Sequence, residues 1–291
     1  MFHCILVAID LDTQGNCHPP SQAAARLALQ IAARSGARLR FFHAFEADAA
    51  LQQQMLNHQQ SPPRDFYLRA EQQLEHWVEQ ARQQGIEADT RLVFGRNWQQ
   101  AIAEVTQGCH DLVLLGTRQR NVVSRALFGS FALKLLRHCP CPVWVAREES
   151  NTPRTVFVAH DLRSVGNRAL QVGQWLAEAA GAELHVMHIL EHPEFQAFLA
   201  SLPGEVIEQR RSQARQQIEA QLRMPAQIII GDGRPYDEIL GYLREHPTDV
   251  VVMGTLARTG LSGALIGNTA ENLIPWIPCS LLAIKPEAEA K

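Results

Sequence analysis

The chain repeats itself, and a tandem duplication leaves few folds open. ILVAIDLD at Ile5–Asp12 returns as VFVAHDLR at Val156–Arg163, and SGARLRFFHAF at Ser35–Phe45 returns as AGAELHVMHIL at Ala180–Leu190. GRNWQQAI at Gly95–Ile102 matches GRPYDEIL at Gly233–Leu240, DLVLLGT at Asp111–Thr117 matches DVVVMGT at Asp249–Thr255, and CPVWVAR at Cys141–Arg147 matches CSLLAIK at Cys279–Lys285. From Gly95 onward the copies align without a gap, pairing Gly116 with Gly254, Ser124 with Ser262, Gly129 with Gly267 and Pro140 with Pro278. The first copy carries extra residues after its first apolar run and again at LQQQMLNHQQSPP, where loops tolerate insertion. Polar, Pro-containing Glu148–Pro153 is the natural linker, so two domains are expected over residues 1–148 and 154–286.

Each copy reads strand, helix, strand, helix, strand, helix, strand, helix, strand. The strands CILVAI, RLRFFHAF, DTRLVF, DLVLLG and PVWVA are short, mostly continuous apolar runs, the mark of a parallel sheet covered on both faces. SQAAARLALQIAARSG shows apolar residues at helical spacing, with Ser21 as N-cap and Gly36 as stop. The expected fold is α/β: two tandem doubly wound domains, each a five-stranded parallel sheet with helices on both faces.

In such folds ligands sit outside the carboxyl ends of the strands, where strand order reverses. With the first and fourth strands central, that place lies between Asp10 or Asp161 and the long loop after Gly116 or Gly254. The second copy is better equipped there. Gly254 and Thr255 end its strand, Gly260 and Gly263 permit close backbone approach, and Gly267 precedes the last helix with Asn268 and Thr269. The unpaired N–H groups and dipole of a helix N-terminus favour an anion. A plain set of turn and cap residues reads the same way. The first-copy loop lacks the two interior glycines, carries Val122, Val123 and Phe131, and offers Arg118, Arg120 and Arg125 as solvated or phosphate-attracting charges.

These residues make the chain resemble the universal stress protein family, in its tandem-domain branch, across almost its whole length. The family's nucleotide loop is Gly, two residues, Gly, nine residues, then Gly followed by Ser or Thr. Here it reads Gly254, Ala257, Gly267, Asn268 in the second copy and Gly116, Gln119, Gly129, Ser130 in the first, the inner glycine being replaced in both. The resemblance implies an adenine-nucleotide (ATP) site in the C-terminal domain, with Mg²⁺ as companion ion. Asp161 and Ile189 take the base and ribose side, and Gly254, Thr255, Ala257, Gly267, Asn268 and Thr269 the phosphates. Gly233–Pro235 supplies a third loop on the base side, Ala44 is the first-copy counterpart of Ile189, and Gln119 marks the N-terminal site as degenerate. It also implies pairing of the copies through their last strands (Val143 and Val145, Leu281 and Ala283), with homodimerisation and a protein partner left open.

Charge sets further bounds. Net charge is −3 and pI about 6.5, against a general nucleic-acid or anionic-membrane binder. Arg210, Arg211 and Arg215 read as a solvated helix face. No apolar run reaches the ~20 residues of a membrane span, MFHCILVAID lacks signal-peptide features, and the six cysteines are scattered, so a reduced cytoplasm is expected. HCPCP at 138–142 does not have zinc spacing. His43 and His188 read as hydrogen-bonded core or crevice histidines, and Asp111 and Asp249 lie at the opposite end of the sheet. No nucleophile elbow, zinc helix or Walker loop is present, which gives dedicated catalysis little support; the resemblance implies a stress-response binding and signalling module, with at most slow ATP hydrolysis. Alternatives are an amphiphilic, lipid or nucleotide-sugar ligand along Phe195, Phe198, Leu199 and Leu202, or a structural partner-binding protein with no small ligand.

Overall fold

The computed structural model describes residues 1–57, 59–117, 128–148, 152–191, 204–255 and 267–286. The chain divides into two compact units, the second beginning at Thr152. In the first unit the strands are β1 (Cys4–Ala8), β2 (Arg38–Phe45), β3 (Ala88–Phe94), β4 (Leu112–Thr117) and β5 (Val143–Arg147), parallel and in the order β3-β2-β1-β4-β5. In the second they are β6 (Thr155–Ala159), β7 (Glu183–Glu191), β8 (Gln227–Gly233), β9 (Val250–Gly254) and β10 (Ser280–Ile284), parallel and in the order β8-β7-β6-β9-β10. Each unit is thus the doubly wound α/β sheet that its sequence pattern predicts.

The apolar runs explain the strands. All five residues of β1 are buried, as are Leu112–Leu115 of β4 and Val250–Met253 of β9, which only a strand covered on both faces demands. The helices of the first unit are α1 (Pro19–Ser35), α2 (Ala49–Leu56), α3 (Pro62–Gln83), α4 (Asn97–Gln107) and α5 (Ser130–His138). Those of the second are α6 (Ser164–Ala180), α7 (Gly204–Glu219), α8 (Pro235–Glu245) and the short α9 (Asn268–Leu273), which continues as a 3₁₀ turn through Trp276. Gly36 and Gly181 end α1 and α6 in the left-handed region, at φ 70° and 65°, where a Cβ is costly. Among the described residues no helix is long and apolar enough to cross a membrane.

Three local expectations change. Ser21 is not the N-cap of α1. His18 holds that place, Pro19 and Pro20 open the helix, and buried Ser21 accepts the Asp10 N–H at 2.9 Å. The insertion read as a loop is partly helical, because Asp48 caps helix-forming AALQQQML through the Leu51 N–H (2.8 Å) and Ser61 caps α3. Arg211 is not simply solvated: it bonds Asp232 on β8 and Glu208 one turn away.

The amino edges of both sheets are tied by matched carboxylates. Asp111 accepts the His3 N–H at Oδ2 (2.7 Å) and the Cys4 N–H at Oδ1 (3.0 Å), whereas Asp249 accepts the N–H groups of Arg154 and Thr155 with Oδ2 alone (2.8 and 2.9 Å). An asparagine keeps one acceptor oxygen. Asp249→Asn can therefore hold both bonds, while Asp111→Asn sets an NH₂ against an N–H. We expect Asp111→Asn to cost about 1.5 kcal/mol and Asp249→Asn about 0.5 kcal/mol, read as shifts in urea midpoint. Equal losses would refute the one-oxygen geometry.

Candidate functional site

The order β8-β7-β6-β9-β10 puts the reversal between β6 and β9, which pair directly (Ala159 opposite Met253). The turn leaving β6 is built by side chains. His160 Nδ1 accepts the Leu162 N–H at 3.0 Å, and Asp161 Oδ1 accepts the Arg163 N–H at 3.0 Å. Leu162 is held at φ 58°, a conformation a leucine rarely adopts and one that marks a locally determined turn. Asp161 faces solvent, yet Oδ1 rests over Gly166 in the first turn of α6, where an added Cβ would stand 2.2 Å away. Gly166 thus seats the carboxylate, and it is a position at the candidate site that sequence reasoning missed. Its counterpart in the first unit is Ser21, whose hydroxyl fills the place.

The neighbouring strand end adds a histidine. His188 Nδ1 donates to the His160 carbonyl at 2.8 Å, and His43 Nδ1 donates to the Ile9 carbonyl at 2.8 Å in the first unit. Both are hydrogen-bonded, as their matched places in the repeat suggest. Burial pushes both imidazoles below the ordinary histidine range. His160 falls furthest, to about 4, because desolvation outweighs the pull of nearby Asp161 and is joined by repulsion from His188. Ile189 is buried, its side chain packed toward Gly231 on β8, so its side chain serves the sheet. Asp232, paired with Arg211, and Glu238, beside Gly231 and Gly233, complete an acidic rim.

Across the reversal, Gly254 ends β9 with its Cα toward α6, where an added Cβ would meet Val165 Cγ1 at 2.8 Å. Thr255 is buried, and its N–H and hydroxyl both donate to the Ile284 carbonyl (3.1 and 3.2 Å). Both its donors are therefore engaged in joining β9 to β10. Gly267 caps α9 at φ −62° and accepts the Glu271 N–H at 2.9 Å, and Thr269 lies half-buried in the first turn after Asn268. Ala257, Gly260 and Gly263 lie outside the described residues, as do Phe195, Phe198, Leu199 and Leu202. The structure thus brings Asp161, Gly254, Thr255 and the Gly267 end of α9 to one edge, with Ile189 beside them in the sheet.

The matching edge of the first unit is filled differently. The loop from Leu11 to Cys17 closes on a bridge between those two residues, and the Asp12 carboxylate gathers the N–H groups of Gln14 and Asn16 at 2.8 Å each. Phe45 lies 4.7 to 5.9 Å, centroid to centroid, from His43, Phe66, Tyr67 and Phe94. Leu190 and Asp232 hold the places of Phe45 and Phe94 in the second unit. Gln119, Val122 and Val123 lie outside the described residues.

The universal stress protein family model matches residues 1–147 and again 153–285. The chain belongs to the universal stress protein family. Universal stress protein E of Salmonella typhi is 30% identical over 236 residues, covering 72% of this chain and 74% of that protein. Universal stress protein E of Escherichia coli K12 is 29% identical over 224 residues, 70% of each. A universal stress protein structure from Pseudomonas aeruginosa superposes with a TM-score of 0.72 at 24% identity, over 98% of this chain and 94% of that one. One from Archaeoglobus fulgidus gives 0.67 at 18% identity, over 97% and 98%. At these identities the likeness establishes a shared two-domain fold. As a universal stress protein, the chain has Gly116 and Gly254 at the ends of the strands that flank the reversal of each sheet. The described residues contain no set of three His, Cys, Asp or Glu side chains able to hold a metal.

Proposed function

We propose that this universal stress protein is a stress-response binding module that takes one adenine nucleotide, ATP, at the carboxyl edge of its second unit. The observation that carries the reading is the junction of β6 and β9: an exposed carboxylate seated on Gly166 on one side, and a glycine-opened helix N-terminus on the other. A carboxylate suits the hydroxyls of a ribose, and N–H groups at a helix start suit phosphate oxygens. Gly254, Ala257, Gly267, Asn268 and Thr269 are the phosphate side, Asp161 and the backbone beside Ile189 the nucleoside side, and Thr255 holds β9 to β10 beneath them. Mg²⁺ then arrives with the phosphates.

Gly267→Asp places a charge where the phosphates are to lie, and its first-unit counterpart Gly129→Asp serves as control. We expect isothermal titration with Mg·ATP to give one site per chain, lost at least about 100-fold in Gly267→Asp and unchanged in Gly129→Asp. Full binding by a folded Gly267→Asp protein would overturn the assignment. Loss in Gly129→Asp alone would move the site to the first unit.

A further inference from the structure

At the amino end of the first sheet, away from the nucleotide edge, β1, β2 and the end of α4 gather a thiol, an imidazole, a carboxylate and arginines. Cys4 Sγ lies 2.8 Å from His110 Nδ1 and 3.1 Å from Arg38 Nε. His110 Nε2 faces Glu104 Oε1 at 3.7 Å, and Glu104 is held in turn by Arg40 (2.7 Å) and Arg91 (3.4 Å). Cys4, His110 and Glu104 are buried, while Arg38 is exposed above the sulfur.

The backbone is shaped to admit this imidazole. Gly108 lies so close to the ring that a Cβ there would stand 2.6 Å from Nε2. Cys109, next in the chain, adopts φ 52°, a left-handed conformation that is uncommon for a residue with a Cβ. The fold itself does not require the cluster: the second copy has Thr155, Glu183, Tyr242 and Thr248 where the first has Cys4, Arg38, Glu104 and His110.

We propose that Cys4 is a peroxide-reactive thiol whose proton is taken by His110. The sulfur attacks one oxygen of hydrogen peroxide, forming an S–O bond as the O–O bond breaks. The thiol proton passes to His110 Nδ1 and from there to the departing hydroxide. Sulfur is oxidised to a sulfenic acid, the peroxide is reduced, and water leaves. Arg38 donates to the sulfur and places positive charge beside the reacting atoms. Glu104 is a positioning residue, facing the ring's far nitrogen. Burial raises the Cys4 thiol and lowers His110, so at rest the proton is on sulfur and the imidazole is a free base. Only a small oxidant reaches a sulfur so enclosed.

The test uses the full chain with Cys109→Ser, which removes the one exposed thiol among the six cysteines. The folded chain is exposed to hydrogen peroxide for timed intervals, the peroxide is removed with catalase, the chain is unfolded in urea containing dimedone, and labelled peptides are quantified by mass spectrometry. We expect Cys4 to label at least about ten times faster than buried Cys17, Cys139, Cys141 and Cys279, and His110→Asn to slow it about tenfold or more. Cys4→Thr, the second copy's own residue, abolishes that peptide's label. The proposal fails if Cys4 labels no faster than Cys279. It fails equally if a folded His110→Asn protein labels like its parent. The comparison among cysteines within one chain stands even if the histidine variant does not fold.

Discussion

Gly116→Ala is expected to destabilise the first unit by roughly 3 kcal/mol or more, and Gly254→Ala to cost the second only about 1 kcal/mol. Both are the leading glycine of the family's nucleotide loop, and the sequence suggests that they let phosphate approach the backbone. The structure adds a different reason. A Cβ on Gly116 would lie 2.0 Å from the Pro20 carbonyl oxygen and 2.7 Å from the Ser21 nitrogen, so the first turn of α1 itself would have to move. That turn carries Pro19 and Pro20 and anchors Asp10 through Ser21. Moving it also disturbs the buried sheet beneath. At Gly254 the obstacle is the Val165 Cγ1 atom at 2.8 Å, a side chain that can rotate, and Val165→Ala should restore the loss. Urea unfolding of the full chain, followed by tryptophan emission and by circular dichroism, resolves the two units if they unfold separately. A stable Gly116→Ala protein would return this glycine to a role toward ligand alone.

The fold was legible because duplication shows every strand twice. Continuous apolar runs such as VVVM and LVLL have one home in a helix-covered parallel sheet, and the left-handed glycines after α1 and α6 fall where the pattern stops. Matched His43 and His188 also signalled a bonded core or crevice, although both partners proved to be backbone carbonyls. What stayed hidden depends on distance in sequence. Nothing local tells that Asp232 meets Arg211 or that Thr255 spends its donors on Ile284. The Ser21 and Gly166 pairing did carry a signal, since a repeat that trades serine for glycine in a helix's first turn implies a changed neighbour. The α2 segment failed for another reason: its cap, Asp48, stands just ahead of the inserted stretch, which by itself reads as a polar loop.

Acid should weaken the second unit, and most of all through His160. In the fold His160 accepts the Leu162 N–H at Nδ1, so the neutral form carries its proton on Nε2. Protonating Nδ1 sets two donors against each other inside a buried turn, and it adds charge beside His188. Burial, joined by repulsion from His188, brings His160 to about 4 in the fold against 6.5 for an ordinary histidine. The sign follows directly. Below 6.5 the unfolded chain takes up a proton that the folded chain refuses, so the stability present above 6.5 is lost as pH falls toward 4. The loss from this group is about 3 kcal/mol at pH 4. His43, His110, His185 and His188 are lowered in the same direction and add to the slope. The first unit has Ile9 at the matching position, so His160→Ile is a substitution that the fold already accommodates once. Urea midpoints between pH 7.5 and 4 should fall steeply in the parent and measurably less in His160→Ile. Parallel curves would mean that His160 is protonated in the folded chain at the same pH as in the unfolded one, and that the His160–Arg163 turn opens before the sheet does.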